Sequence, residues 1–287
     1  MAASFEEAKV TVPAVLASKG ERKLAMITAY DYTFAHLADA AGVDMLLVGD
    51  SLAMVVQGHE NTLGVTMDEM IYHTRMVARA SQRALVVGDM PFLSYQVSAE
   101  DALRNAGRMV KEGGAECVKL EGGVNIADTV ARLVDVDIPV CGHIGLTPQS
   151  VHRMGGHKVQ GRRTGKAPGS RGRLLQDAQA LERAGVFAIV VEGVPADLAA
   201  EITAEVSVPT IGIGAGPSCD GQVLVINDVL GLERRIAPKF VKRYADLGTL
   251  ALEAIGSYVG EVRSGSFPTM EHSFSSPRPL RLQRKKA

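Results

Sequence analysis

"LLVGDS" at Leu46–Ser51 and "LVVGDM" at Leu85–Met90 each run apolar and then meet a carboxylate; "VKLE" at Val118–Glu121 and "IVVE" at Ile189–Glu192 do the same. A strand that buries both faces reads as a near-continuous Val/Ile/Leu run, the mark of a parallel sheet. A carboxylate at the end of such a run needs a partner, because burying a charge alone is costly. Four strands ending this way imply a common place where the charges meet.

Working outward from these runs, strands are predicted at Ala25–Asp31, Met45–Ser51, Ala84–Met90, Cys117–Glu121, Pro139–Gly145, Ala188–Val194, Thr210–Gly214 and Val223–Asn227. Helical segments fall between and after them: Thr33–Ala41, Met67–Ser81, Ser98–Glu112, Ile126–Val134, Leu174–Ala184, Ala196–Val206 and Lys239–Val262. A short helix over Thr11–Ser18, stopped by Gly20, precedes the first strand. Glycines at Gly42, Gly113 and Gly185 stand in the usual stop position after three of the helices. Eight strands with crossover helices predict an α/β fold, a (β/α)8 TIM barrel with a short N-terminal helix. An open doubly wound sheet is the competing topology. Residues 1–274 read as one catalytic barrel and 275–287 as a basic, disordered C-terminal tail.

Composition narrows the function classes. A net charge of −1 gives no general attraction for nucleic acid, and no apolar stretch reaches the ~18 residues of a membrane span. The N-terminus "MAASFEEAKV" carries acids and no apolar signal core. Cys117, Cys141 and Cys219 are odd in number and form no CxxC, which fits a reducing compartment, the cytoplasm.

Side chains alternate along a strand, so Leu46, Val48 and Asp50 are expected on one face, as are Leu85, Val87 and Asp89. On this reading the apolar members fill the lumen and the last residue emerges at the C-terminal mouth, where barrel active sites lie. Asp31, Asp50, Asp89, Glu121, His143 and Glu192 all close strands there. The plainer alternative is that each acid caps the following turn or helix.

Asp50, Asp89 and Glu121 end three successive strands, and neighbouring strands lie ~4.8 Å apart. Three such carboxylates repel, so some protonate or a cation sits among them. All-oxygen ligation favours Mg²⁺ over Zn²⁺. Lys119, two residues before Glu121, either pairs with these acids or holds a carboxylate or enolate oxygen of a substrate. Glu192 ends a strand away from the cluster and is the candidate general base, its pKa raised by apolar surroundings. His143 is a hydrogen-bonding neighbour or an accessory to the chemistry. "GIGAGPSCDG" at Gly212–Gly221 lacks the spacing of a dinucleotide fingerprint and reads as a tight loop. "GRRTGKAPGSRGR" at Gly161–Arg173 carries five basic residues and no acid, and reads as a mobile, solvated loop.

The motifs "MITAYDYTFA", "LLVGDSLAMVVQGHENTLGVTMDEM", "VVGDMPFLSY", "VKLEGG", "GHIGLTPQS", "IVVEGVP", "IGIGAGPSCDGQVLV" and "FPTMEHSF" resemble the ketopantoate hydroxymethyltransferase family, from about Thr11 to Phe274. The resemblance implies a (β/α)8 barrel assembled as a homodecamer of two pentameric rings. It implies Mg²⁺ and transfer of a one-carbon unit from 5,10-methylenetetrahydrofolate to 3-methyl-2-oxobutanoate, a step of pantothenate synthesis. With a folate as co-substrate, the five cations of Gly161–Arg173 are expected to attract its polyglutamate tail, weakly and in a salt-dependent way. Carried over by motif, Asp50 is a metal ligand and, with Ser51, a substrate contact. Asp89 lies near metal and oxoacid, Lys119 contacts substrate, Glu121 is a metal ligand directly or through water, and Glu192 is the proton acceptor.

Two rivals remain at this point. A carbon–carbon lyase of the isocitrate-lyase type shares Mg²⁺ and oxoacid enolate chemistry, but carries a catalytic cysteine in a "KKCGH"-like motif. Here Cys141-Gly142-His143 follows Pro139-Val140 instead. A catalytically silent, ring-forming binding protein is the other, and the complete acid and lysine set argues against it.

Overall fold

Runs such as Met45–Val48 and Leu85–Asp89 are buried along their whole length, which alternating half-exposed strands never are, so both faces of the sheet must be covered. In the computed structural model, which describes residues 8–232 and 238–276, they are covered by closure. Eight parallel strands pair in sequence order and β8 returns to β1: β1 Leu24–Thr28, β2 Met45–Val48, β3 Leu85–Asp89, β4 Cys117–Glu121, β5 Val140–Gly145, β6 Ala188–Glu192, β7 Thr210–Ile213 and β8 Gly221–Leu224. The helices are α1 Val12–Leu16, α2 Tyr32–Ala40, α3 Leu52–Val55, α4 Met67–Ala80, α5 Ala99–Lys111, α6 Ala127–Val134, α7 Val151–Met154, α8 Arg171–Arg183, α9 Ala196–Glu205, α10 Ile226–Val229 and α11 Leu247–Ser264. The open-sheet alternative is thereby removed. The expected C-terminal tail lies, from residue 277 on, outside the described residues.

Two apolar cores follow from strand alternation. Leu24, Met26, Met45, Leu47, Leu85, Val87, Cys117, Cys141, Val190, Ile211 and Val223 fill the lumen. Val10 and Val15 join them, so the segment around α1 closes the N-terminal end of the barrel. Leu46, Val48, Val86, Val118, Leu120, Ile189 and Val191 face outward and meet Met70, Met109, Leu133, Leu181, Leu198 and Ile202 of the surrounding helices.

Several predicted boundaries shift. The eighth strand ends at Leu224 and Asn227 lies in α10, because the chain turns into a helix as soon as it leaves the barrel. The predicted helix Lys239–Val262 begins only at Leu247. Before it, Phe240 folds against Gly214, where an added Cβ would lie 2.9 Å from its ring, so this stretch is tied to the barrel mouth. Gly161–Arg173 is less of a loop than its composition predicts. Arg171 and Arg173 belong to α8, Arg171 pairs with Asp197 and Glu201, and Arg173 pairs with Asp177. Within the segment, Gly161 N–H donates to Gly169 O and Arg171 N–H to Arg163 O, both at 2.8 Å. Two of the five cations proposed to attract polyglutamate are therefore already neutralised. Among the described residues no helix is long and apolar enough to cross a membrane.

One buried acid away from the mouth shows how side chains finish the connections. Asp39, near the end of α2, accepts backbone N–H bonds from Gln82, Arg83 and Ala84 ahead of β3, the shortest at 2.7 Å. Burial alone would raise its pKa, but the N–H groups of Ala84, Gln82 and Arg83 outweigh it and hold the carboxyl below its ordinary value. Asp39→Ala is expected to cost about 2–3 kcal/mol through lost charge-assisted hydrogen bonds. A depressed folded pKa stabilises fully above the unfolded value near ~4 and loses that contribution as pH falls through the folded one. Urea melts across a pH series should therefore show wild type and variant converging in acid; a constant gap would contradict this origin.

Candidate active site

Strand parity delivers three of the predicted acids as expected. Asp89, Glu121 and Glu192 are the last residues of β3, β4 and β6 and continue the lumen-facing rows of Leu85 and Val87, of Cys117, and of Ala188 and Val190. Lys119 is level with Asp89 across β3 and β4, and His143 with Glu121 across β4 and β5.

Asp50 arrives by another route. Leu46 and Val48 face the helices, while Met45 and Leu47 face the lumen, so the predicted shared face of Leu46, Val48 and Asp50 is incorrect. β2 stops at Val48, and the turn at Gly49–Ser51 swings Asp50 into the mouth. Its backbone N–H then donates to Asp89 Oδ2 at 3.1 Å. Gly49 leaves room for that turn, since a Cβ there would sit 2.9 Å from Ser51 Oγ. Ser51 Oγ in turn lies 2.7 Å from the hydroxyl of Tyr30. Asp31, by contrast, caps α2 by accepting from Phe34 N–H, as the plainer reading of strand-end acids held.

The five central side chains are buried: Asp50, Asp89, Lys119, Glu121 and His143 each expose 6% or less. Lys119 Nζ lies 2.9 Å from Asp89 Oδ1, 3.9 Å from Glu121 Oε1 and 3.1 Å from His143 Nδ1. The pairing role considered for this lysine is thus realised. Burial would lower its pKa, but Asp89, Glu121 and Asp50 outweigh that and keep it an ammonium. His143 bridges two acids, with Nδ1 3.2 Å from Glu121 Oε1 and Nε2 3.2 Å from Glu192 Oε2. Burial and the Lys119 charge disfavour its protonation, but bonding to Glu121 and Glu192 prevails and pushes it up to about 9.

The carboxylates divide by environment. Glu121 resists its burial because His143, Lys119 and the Gln149 N–H hold its charge, and its pKa falls. Asp50 is raised well above the ordinary value by burial and by the charges of Asp89 and Glu121, and Asp89 is raised by burial despite Lys119. Ionisation without a cation is therefore most costly at the Asp50–Asp89 pair. Glu192 stands apart, with 19% of its side chain exposed. It abuts Gly145, where a Cβ would lie 2.1 Å from the Glu192 carbonyl oxygen, so only glycine lets β5 and β6 approach this closely.

Sequence reasoning missed Gln149 and Tyr95. Gln149 Nε2 donates to Asp50 Oδ2 at 3.0 Å, its backbone N–H donates to Glu121 Oε2 at 3.0 Å, and Tyr95 Oη lies 2.7 Å from Gln149 Oε1. Both residues lie in loops and carry no charge, so neither strand alternation nor acid counting marks them.

The acids floor a cavity of about 430 Å³. Its lining interleaves the polar Ser51, Lys119, His143 and Glu192 with the apolar Leu146, Val159, Ile213 and Phe240, Ile213 being level with Glu192 across β6 and β7. Cys141 lies deeper in the lumen, where burial pushes its thiol up to about 12. It is not the reactive cysteine that the lyase rival requires.

Comparison with known proteins agrees with this geometry. Solved structures of similar fold include 2,3-dimethylmalate lyase, a PEP mutase/isocitrate lyase superfamily member, at TM-score 0.58 and 15% identity over 93% of this chain and 91% of that one. A phosphonopyruvate hydrolase solved as a complex with oxalate and Mg++ gives TM-score 0.56 and 14% identity over 91% and 92%. At such identity the likeness is one of fold. The sequence relatives are much nearer. The 3-methyl-2-oxobutanoate hydroxymethyltransferase of Pelobacter propionicus is 61% identical over 268 residues, 93% of this chain and 98% of its own. That of Geobacter sulfurreducens is 61% identical over 253 residues, 88% and 93% of the two chains. The profile described as ketopantoate hydroxymethyltransferase matches residues 9–270, and with eight parallel strands closed beneath an acid-and-lysine mouth, the chain belongs to the ketopantoate hydroxymethyltransferase family.

Proposed function

We propose that this chain transfers a hydroxymethyl group from 5,10-methylenetetrahydrofolate to 3-methyl-2-oxobutanoate, giving 2-dehydropantoate for pantothenate synthesis. The observation that carries the reading is the separation of two kinds of carboxylate across one mouth: the buried Asp50–Asp89 pair beside Lys119, whose ionisation is held back for want of a cation, and the more open Glu192 against His143.

The pair fits a hard divalent ion, Mg²⁺ by preference. Asp89 Oδ1 is buried 2.9 Å from the Lys119 ammonium, and a carboxylate oxygen engaged by one donor keeps a second lone pair for a cation. Among the described residues no three His, Cys, Asp or Glu side chains already form a metal cage. Mg²⁺ usually keeps waters and takes one or two carboxylates together with oxygens of its substrate. Asp50 and Asp89 would hold it, with Glu121, engaged by Gln149 and His143, one step back. Bound there, the ion would polarise the 2-oxo group and acidify the C3 proton.

The chain's own groups then act on the oxoacid. Ser51 and Lys119 orient its carboxylate and oxo group. Glu192 takes the proton from C3, and His143 holds that carboxylate in place through Nε2. Lys119 donates to the developing enolate oxygen, which it does best as the ammonium its acidic neighbours enforce. The apolar lining residues Leu146, Val159, Ile213 and Phe240 offer contact area for the flat rings of the folate. The methylene carbon exchanges its two bonds to folate nitrogen for one bond to C3 and one to the oxygen of water; the proton taken from C3 by Glu192 and one from the water pass to the two nitrogens, and tetrahydrofolate leaves. The test is loss of the C3 proton of 3-methyl-2-oxobutanoate in deuterated buffer, followed by NMR with and without Mg²⁺. Metal-dependent exchange supports the reading; no exchange under either condition removes it.

The same reading includes a homodecamer in the cytoplasm, where three buried free thiols are at home. What supports assembly is α11: none of its 18 residues is buried, and Leu250, Leu252, Ile255 and Tyr258 each stay more than half exposed. An apolar surface of that kind asks for a partner, here further copies of the chain. Light scattering should give ten chains of 30.4 kDa, about 300 kDa, and a chain ended at Asp246 should fall to smaller species. An unchanged mass after that truncation would clear α11 of the role.

A further inference from the structure

Gln149 sits in a short 3₁₀ turn, Pro148–Ser150, after β5, and is 7% exposed. Every polar group of its side chain is used. Nε2 donates to Asp50 Oδ2 at 3.0 Å and to the Met90 carbonyl at 2.9 Å. Oε1 lies 2.7 Å from Tyr95 Oη and accepts from Gln96 Nε2 at 3.1 Å. A backbone carbonyl only accepts, so the Met90 contact fixes which end of the amide is the NH₂. Tyr95 fixes the other end. Its hydroxyl accepts from Glu121 N–H at 3.1 Å and has two acceptors in reach for its one proton, Gln149 Oε1 at 2.7 Å and the Glu121 carbonyl at 3.0 Å, of which Gln149 is the nearer. Burial holds the Tyr95 pKa well above the ordinary value, so that proton stays in place.

We propose that Gln149, oriented by Tyr95, is the positioning residue that sets the Asp50 and Glu121 carboxylates for the divalent ion and oxoacid, a role that rests on the function inferred above. Three loops meet in it: Asp50 follows β2, Tyr95 follows β3, and Gln149 follows β5. Asp50 lies beyond the end of its strand, so no ladder holds its carboxylate at the required angle, and the Gln149 amide does so instead. The Gln149 main-chain N–H does the same for Glu121 Oε2. An outer partner of this kind is typically worth about 10–100-fold in metal affinity or activity.

The test compares wild type, Gln149→Met and Tyr95→Phe as full-length protein. Three quantities are read: Mg²⁺-dependent oxoacid binding by calorimetry, kcat and KM of C3 proton exchange, and metal-free melting temperature. Methionine keeps the length and shape but removes both donors to Asp50 and Met90. Gln149→Met should bind the oxoacid about 10–100-fold more weakly and raise KM by more than it lowers kcat, because Glu192 and His143 are not touched. Tyr95→Phe should shift the same quantities in the same direction by less. If Gln149→Met proves too unstable to purify, the Tyr95→Phe split between KM and kcat decides. Wild-type affinity in either folded variant, or an equal loss that follows melting temperature alone, overturns the proposal. A wild type that exchanges no C3 proton removes the functional reading and the proposal with it; a wild type that exchanges, matched by its variants, removes the proposal alone.

Discussion

Glu192→Gln is expected to retain Mg²⁺-dependent oxoacid binding and to lose C3 proton exchange by about 10²–10⁴-fold, the usual worth of a positioned general base. The two halves of this result have separate origins. Binding survives because Glu192 lies across the mouth from the Asp50–Asp89 pair and touches neither; its polar neighbour is His143, at 3.2 Å. Exchange fails because an amide oxygen is far too weak a base to take a carbon-bound proton. Glutamine keeps the size of the side chain and a polar atom for His143 Nε2, so the fold at the end of β6 should stand. NMR of the 3-methyl-2-oxobutanoate C3 proton in deuterated buffer measures the rate, and calorimetry measures the binding. A variant exchanging at the wild-type rate would end the assignment of Glu192 as base.

Asp50→Ala should give the opposite pattern, a loss of binding with no loss of fold. In the metal-free protein Asp50 is raised well above its ordinary pKa by burial and by Asp89 and Glu121. The sign of the linkage follows. Below the unfolded pKa near ~4 the group is protonated in both states and has no effect; above it only the unfolded state ionises freely, so the native carboxyl costs stability at neutral pH. Removing it should leave the metal-free melting temperature unchanged or higher at pH 7, with the benefit fading toward pH 4. Affinity for Mg²⁺ with oxoacid should meanwhile fall beyond the ~10–100-fold expected from an outer partner. A metal-free protein clearly less stable at pH 7, or unchanged calorimetry, would show that the carboxylate serves the fold rather than the ion.

Both predictions rest on residues that the sequence already marked. Alternation placed Asp89, Lys119, Glu121 and Glu192 toward the lumen, and the structure puts them there. It also marked Asp50 by a faulty argument. The run Leu46 to Asp50 looks like one uninterrupted strand, yet the ladder ends at Val48 and the parity argument ends with it. Asp31 shows the same limit from the other side. It closes an apolar run as the others do, but the chain turns into α2 there and the carboxylate caps the helix.

Gln149 carried no signal of charge or periodicity, and was marked only as part of the family motif "GHIGLTPQS". Its partner Asp50 is 99 residues away, and an uncharged side chain in a loop has no periodicity and no charge to betray it. The segment Gly161–Arg173 misled for a related reason. Its glycines and cations read as mobile and unpaired, whereas Asp197 and Glu201, which meet Arg171, come from a different helix.

The amino-acid sequence by itself determined the parallel strands with their crossover helices and the lumen-facing rows of β3, β4 and β6, because pleating and burial are local properties that repeat every two residues along a strand; closure of the sheet and the parity of β2 needed the structure. Only the tertiary structure decided how Asp50 enters the site, which groups share protons and charge around His143, and that Gln149 and Tyr95 brace the carboxylates. Those features form where strands have ended. There, turn torsions and contacts between distant loops set each side chain's direction, and closure of the barrel brings them within 3 Å or so of one another.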